Sequence, residues 1–314
     1  MLAMEPLAQR KKKKMLPLLL LLPLLLATLP APAASPLPVI MMHGVSSTHT
    51  EMQTIKTLAE SLHPGTVATS LPLYEGKVAS LARLKDQVQG VIRRIRALVA
   101  ANETLYRDGW HMVCKSQGGL TCRCVLEEMD DHRVSTFVSL AGPQMGVFGN
   151  DFFKFFPPFM QNLTADELYR VAYTPLIQDT VSVANIWRDP QHASQFVAGN
   201  QFLPVYNGLR TPAATLARYK HNFVRLKKAV FCVGSGPEYD GGIEPWQSAA
   251  WSYPDASGRF LPMEEQVEYT KDLFGLKTLD TTGRLNITVV PGATHSDWTS
   301  STNLIKAWVL PHLT

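Results

Sequence analysis

Short apolar runs and helical stripes alternate along this chain. Pro38-Val-Ile-Met-Met42 is a continuous apolar run ending at His43-Gly44, which predicts a buried strand followed by a loop. Met52, Ile55, Leu58, Ala59 and Leu62 fall at helical spacing, and Thr66 to Leu71 predicts a second strand. Leu81, Leu84, Val88, Val91, Ile95 and Leu98 recur every three or four residues, the stripe of a long amphipathic helix. Arg93, Arg94 and Arg96 lie mostly off that stripe and read as a solvated face. Trp110–Cys114 predicts a strand, Gly118–Met129 a helix and Val134–Leu140 another strand. Strand and helix in alternation build a mostly parallel sheet covered by helices on both faces. The pattern breaks after Gly149, where DFFKFFPPFM opens a segment, residues 150–225, that reads as an irregular helical cap inserted into one α/β domain. Alternation returns with a strand at Ala229–Val233, a last strand at Leu285–Val290 and a last helix at Asn303–Leu313.

Composition changes this picture mainly at the amino end. Of 314 residues, 46% are hydrophobic and 18% charged, enough apolar material for a large core and far from a disordered chain. Arg10, Lys11, Lys12, Lys13 and Lys14 precede the apolar run Leu16–Pro30 and the small residues APAAS, the layout of a secretory signal peptide spanning residues 1–34. The run is shorter than the ~20 residues that span a bilayer, and Pro17 and Pro23 interrupt it. No later stretch predicts a transmembrane segment. Five of the 30 basic and one of the 26 acidic residues belong to the leader, so the rest is balanced at 25 of each. The net charge of +4 therefore carries no nucleic-acid footprint. Secretory entry makes Asn102-Glu-Thr, Asn162-Leu-Thr and Asn286-Ile-Thr candidate glycan acceptors.

The sharpest chemical signal is Val113-Cys114-Lys115-Ser116-Gln117-Gly118-Gly119, set between a strand run and a helix run. A nucleophile elbow needs that context, because a tight strand-to-helix turn lifts a Ser hydroxyl above the sheet. The usual pattern is G-x-S-x-G, and here Cys114 stands at the first Gly. An α/β-hydrolase supplies its acid and base in chain order after later strands. Asp240 follows the strand 229–233 in a Gly-rich loop, and His295 follows the last strand. Glu238 and Glu244 share the Asp240 loop, Asp255 and Asp297 are farther candidates, and Asp240 is closest to the expected strand-end position. His43, His111 and His132 violate the chain order and read as structural. In this arrangement His295 takes the Ser116 proton and Asp240 holds the imidazole. Backbone N–H groups in His43-Gly44-Val45 and at Gln117 are candidate oxyanion donors.

Phe148, Phe152, Phe153 and Phe156, with Phe155, Phe159 and Met160, crowd the start of the insertion. They suit an apolar slot for an acyl chain or the plain packing of a cap. Cys114 and Cys122 stand eight residues apart, a separation open to a disulfide or to two buried thiols. The four cysteines lack zinc-ligand spacing, and no metal or cofactor is expected.

Taken together, IMMHGV (40–45), CKSQGGL (114–120), SLAGPQMGVFG (139–149), IWRDP (186–190), GGIEPWQS (241–248) and LFGLKTL (273–279) resemble the palmitoyl-protein thioesterase family, most of all its second, lysosomal branch. Cys before x-Ser-x-Gly is similar to that branch too. The resemblance implies an α/β-hydrolase fold and hydrolysis of long-chain fatty acyl thioesters in the lysosome, reached through the secretory pathway. It implies a triad of Ser116, Asp240 and His295, with oxyanion donors on the backbones of Val45 and Gln117. Ala172 and Ala184 stand where a further cysteine pair of the family would fall, which leaves a second bridge open. Two other readings of the same residues remain at this level: a carboxyl-ester lipase with the same triad, and a lipid-binding protein without catalysis. Saturable turnover separates the last from the others.

Overall fold

The computed structural model describes residues 36–149, 154, 156, 158–236 and 240–314. Residues 1–34, expected to be a leader, and Phe152, Phe153, Phe155 and Glu238 lie outside the described residues. Six parallel strands form one sheet: β1 Val39–Met42, β2 Ala68–Ser70, β3 Trp110–Lys115, β4 Val134–Leu140, β5 Lys228–Ser235 and β8 Leu285–Pro291. Their order is β2-β1-β3-β4-β5-β8, so the chain runs from β1 out to β2 at one edge, then returns beside β1 as β3 and continues to the other edge. A separate antiparallel ribbon pairs β6 Tyr253–Pro254 with β7 Phe260–Leu261. This is the mostly parallel sheet that the alternating pattern predicts and the α/β-hydrolase architecture that the family resemblance implies.

The central strands are buried along their whole length, and β1 and β3 expose no residue. Strands covered on both faces read as continuous apolar runs, which is why they were legible. The helix Leu84–Ala101 buries Leu84, Val88, Val91, Ile92 and Ile95, while Arg93, Arg94 and Arg96 face water. Arg96 pairs there with Asp131 at 2.8 Å. Several bounds move. The strand expected over 66–71 shortens to three residues, and the helix expected from Met52 starts as a 3₁₀ turn, His49–Met52. The last helix stops at Trp308 and resumes as a 3₁₀ turn around Pro311, whose ring removes an N–H donor.

The helix Gln117–Glu128 is the axis of the molecule, with every residue from Gln117 to Glu127 buried. Most of its polar side-chain atoms are engaged inside the protein, Glu127 Oε2 being buried without a partner among the described residues. Arg123, fully buried, donates to Glu127 Oε1 at 2.7 Å, Gln144 Oε1 at 3.1 Å and Asn207 Oδ1 at 2.8 Å. Its guanidinium also lies 5.5 Å from the Trp251 ring centroid and 5.3 Å from that of Phe274. One cation thus ties the elbow helix to the loop after β4, to the insertion and to the segment after β5. Among the described residues no helix is long and apolar enough to cross a membrane.

His43, His111 and His132, the three histidines assigned to structure, are all buried. His132 Nε2 lies 2.9 Å from the Asn222 carbonyl, whereas neither ring nitrogen of His111 has a hydrogen-bond partner among the described residues. Burial pushes both imidazoles down to about 4. Both therefore stay neutral in the fold while an unfolded chain would charge them near 6.5. Their contribution to stability is complete above that value and is lost as pH falls toward 4. We expect His111→Phe to fold and to flatten the fall of Tm between pH 6.5 and 4. A Tm profile parallel to the wild type would remove His111 from the acid response.

Candidate active site

Ser116 joins β3 to the central helix at φ 54° and ψ −131°, a conformation that L residues adopt at a cost of about 1–3 kcal/mol. Neighbours on both sides hold it there. Its N–H donates to Leu140 O on β4 at 2.8 Å, and its carbonyl accepts Gly119 N–H at 2.8 Å and Leu120 N–H at 3.3 Å. The turn brings the helix start against the loop after β1 so closely that a Cβ on Gly118 would stand 2.3 Å from the His43 carbonyl oxygen. The small residues of the motif are therefore a requirement of packing. Cys114, at the position of the missing Gly, is accommodated as a fully buried side chain in β3.

The candidate acid and base come from opposite sides of β8 in sequence and meet at the carboxyl end of the sheet. His295 Nδ1 lies 2.9 Å from Asp240 Oδ2, and His295 N–H donates to the Asp240 carbonyl at 2.5 Å. The other carboxylate oxygen, Oδ1, accepts Gly242 N–H at 2.9 Å and Ile243 N–H at 2.6 Å. Asp240 is thus an anchored acceptor, buried apart from 3% of its surface. The ring of His295 packs so tightly on this loop that a Cβ at Gly242 would meet its Cγ at 2.4 Å. Of the competing acids, Asp297 Oδ2 accepts Thr294 N–H at 2.7 Å, and Asp255 Oδ1 closes its own turn through Ser257 N–H at 2.9 Å. Glu244 lies along a neighbouring groove.

Ser116 and His295 line a single cavity of about 110 Å³, together with Val45, Gln117, Pro143, Ile186 and Ile243. Both oxyanion candidates therefore border the cavity that Ser116 lines. Gln117 is the first residue of the central helix, where unsatisfied N–H groups and the helix dipole favour negative charge. Its side chain turns away into a buried polar cluster. Nε2 donates to Ser80 O at 2.8 Å, and Oε1 accepts the Ser182 hydroxyl at 2.9 Å. The segment before the helix Leu84–Ala101 and the insertion are both fastened to the residue that follows the nucleophile.

The sequence reading missed a charged pair on the cavity wall. Lys115 Nζ donates to Glu51 Oε1 at 2.5 Å, and Glu51 Oε2 accepts Gly44 N–H at 3.1 Å. Burial alone would raise the Glu51 carboxyl, but the Lys115 ammonium and the Gly44 and Ser47 donors hold it below its ordinary value. A lysine inside an otherwise apolar strand was the available signal. Nothing in sequence marked its partner.

These features fit one family. A family model described as palmitoyl protein thioesterase matches residues 38–295, from β1 to the histidine of the site. The chain belongs to the palmitoyl protein thioesterase family. Among relatives, lysosomal thioesterase PPT2 of Homo sapiens is 40% identical over 93% of this chain and 93% of its own length. The PPT2 homolog of Drosophila melanogaster is 31% identical over 88% and 91%. Among solved structures, the mature Bacillus licheniformis lipase BlEst2 is 14% identical with a TM-score of 0.49, covering 91% of this chain and 95% of that one.

Other expected site residues separate. Cys114 and Cys122 are two free, buried thiols, not a disulfide. They are hydrogen-bonded to each other, and burial pushes the Cys122 thiol well up, away from the thiolate that disulfide formation requires. Phe156 is 2% exposed and stacks edge-on against Trp187 at 5.8 Å, so it is a core residue. Phe148 packs against the same indole at 5.2 Å and borders the groove of about 420 Å³ along which Glu244, Pro245 and Phe260 lie. Asn102 and Asn162 are exposed, and Asn102 caps the short helix Glu103–Tyr106 through Leu105 N–H. Asn286 is half-buried in the edge strand β8, with the Thr288 hydroxyl 3.0 Å from its Oδ1.

If Asp240 fixes the His295 ring, Asp240→Asn will fold, because its amide oxygen can still accept from the loop N–H groups. Turnover is expected to fall by roughly 10⁴-fold, the cost of a misoriented imidazole in a Ser-His-Asp site. Asp297→Asn, measured beside it, should change little. The reverse ranking would move the acid to Asp297.

Proposed function

We propose that this chain hydrolyses long-chain fatty acyl thioesters in the lysosome by acyl transfer through Ser116. The observation that carries the reading is the 2.9 Å Asp240–His295 pair sharing one cavity with a serine held in an elbow turn. The substrate class and compartment rest on family membership and on relatives at 40% identity that are lysosomal thioesterases.

In this reaction the Ser116 oxygen attacks the thioester carbonyl while His295 Nε2 takes the hydroxyl proton. The carbonyl oxygen gains the negative charge and is met by N–H groups of Val45 and Gln117. Collapse breaks the C–S bond, His295 protonates the departing sulfur, and the acyl group remains on Ser116. Water then attacks the acyl-enzyme, giving His295 its proton, and the free fatty acid leaves as Ser116 is reprotonated. Asp240 stabilises the imidazolium at both stages.

A cavity of about 110 Å³ holds the reacting centre but not a long chain, since pockets for larger ligands run to roughly 300–1,000 Å³. The groove beside Phe148 has the larger volume, and Ile243 of the cavity is followed directly by Glu244 of the groove. We assign the acyl chain to that groove. We read residues 150–225 as the inserted cap, of which Pro190 and Gln191 line that groove, and residues 1–34 as the secretory leader that delivers the chain. Exposed Asn102 and Asn162 are the favoured glycan acceptors, ahead of half-buried Asn286.

The deciding experiment offers palmitoyl-CoA, an S-palmitoyl peptide and the matched oxygen ester to wild type and Ser116→Ala. Turnover of both thioesters above the ester, abolished in folded Ser116→Ala, is the expected result. Faster cleavage of the oxygen ester would make the chain a carboxyl-ester hydrolase. Saturable binding without turnover would make it a carrier.

Phe148→Ser should lower kcat/KM for long acyl chains more than for short ones, because each buried CH₂ contributes about 0.8 kcal/mol. A uniform loss across chain lengths would place Phe148 in packing alone.

A further inference from the structure

We propose that Glu51 is a positioning residue that sets the backbone of Gly44 and Val45 for the oxyanion, and that Lys115 serves to hold Glu51 in place. This rests on the reading of Ser116 as nucleophile and of Val45 as one oxyanion donor. Gly44 is gripped at both of its backbone groups by side chains. Its N–H donates to Glu51 Oε2 at 3.1 Å, and its carbonyl lies 2.8 Å from His43 Nδ1. His43 Nε2 faces a second carbonyl, Leu73 O, at 2.9 Å, and a neutral imidazole donates to only one of the two. Val45, the next residue, borders the cavity. Glu51 Oε1 accepts the Lys115 ammonium, and Lys115 directly precedes Ser116. The carboxylate therefore bridges the loop after β1 to the strand that carries the nucleophile.

Stability alone is a poor account of this pair. The Lys115 side chain is 5% exposed and that of Glu51 19%. Removing such charges from water costs free energy that their attraction often only offsets, and apolar replacements of similar volume are frequently as stable. What an apolar pair cannot supply is an acceptor for Gly44 N–H. That N–H is left without its carboxylate if Glu51 is lost, and the segment ending in Val45 gains freedom to turn. The oxyanion forms only in the transition state, so the loss falls on kcat and spares KM.

The two roles of Glu51, ion-pair partner and acceptor, can be separated by paired substitutions. Glu51→Ala removes both. Glu51→Lys with Lys115→Glu restores opposite charges but offers Gly44 no acceptor from position 51. Glu51→Gln with Lys115→Met abolishes the charges, and the single amide oxygen remains free for Gly44 N–H. Each is measured for kcat and KM on palmitoyl-CoA, with Tm in parallel, beside wild type and Ser116→Ala. In Glu51→Ala we expect kcat to fall roughly 10- to 100-fold, below the 10²–10³ of losing an oxyanion donor outright, with KM little changed. The uncharged double variant, Glu51→Gln with Lys115→Met, is expected to recover most of that loss, and the charge-reversed pair to recover Tm without kcat. Recovery of kcat by charge reversal, or an unimpaired Glu51→Ala, would overturn the proposal. Should Glu51→Ala fail to fold, the comparison of the two double variants decides. Absence of thioester turnover in the wild type would instead overturn the function on which the proposal rests.

Discussion

Ser116 occupies a left-handed backbone position that a serine adopts only when the surrounding chain leaves it no alternative. β3 fixes one side of the turn through its pairing with β1 and β4, and the central helix fixes the other. The clearance at Gly118, the bond from Ser116 N–H to Leu140, and the loop after β1 all follow from fitting that turn. Strain at one residue is stable here because many unstrained neighbours determine its position.

The central helix can hold the elbow only if it does not move, and its immobility comes from polar contacts buried inside the molecule. Arg123 is satisfied by partners from three separate segments, including Gln144, Asn207 and the rings of Trp251 and Phe274. Buried polar networks are costly when incomplete and specify a single arrangement when satisfied. Gln117 extends the same logic to the first turn, where its amide joins Ser80 and Ser182. The insertion is thereby registered against the nucleophile, and Ile186 reaches the cavity as a consequence.

The catalytic candidates form two groups with different mechanical supports. Asp240 and His295 stand on loops fastened to each other by backbone as well as side-chain bonds, contacts that do not involve the serine. The loop after β1 is held differently. It relies on His43 and Glu51, two side chains that clamp Gly44. A site assembled this way confines its adjustable part to the oxyanion side, where charge appears only during reaction.

Period and punctuation in the chain were enough to determine the parallel sheet and the elbow between a strand and a helix. They also put Asp240 and His295, the expected acid and base, after later strands, because buried strands and amphipathic helices write their environment into local sequence. Family motifs added the substrate class in the same way, as contiguous residues. What tertiary structure decided are pairings across long separations. Glu51 meets Lys115 across 64 positions, and Gln117 meets Ser182 across 65. The state of Cys114 and Cys122 was open for a related reason, since their spacing allowed a bridge and only their burial as thiols in the folded core excluded it. Phe148 and Phe156 were alike in sequence and diverged in space, one at a groove and one in the core. A side chain's type is local, but its partner and its exposure are properties of the packed whole, and no pattern along the chain carries them.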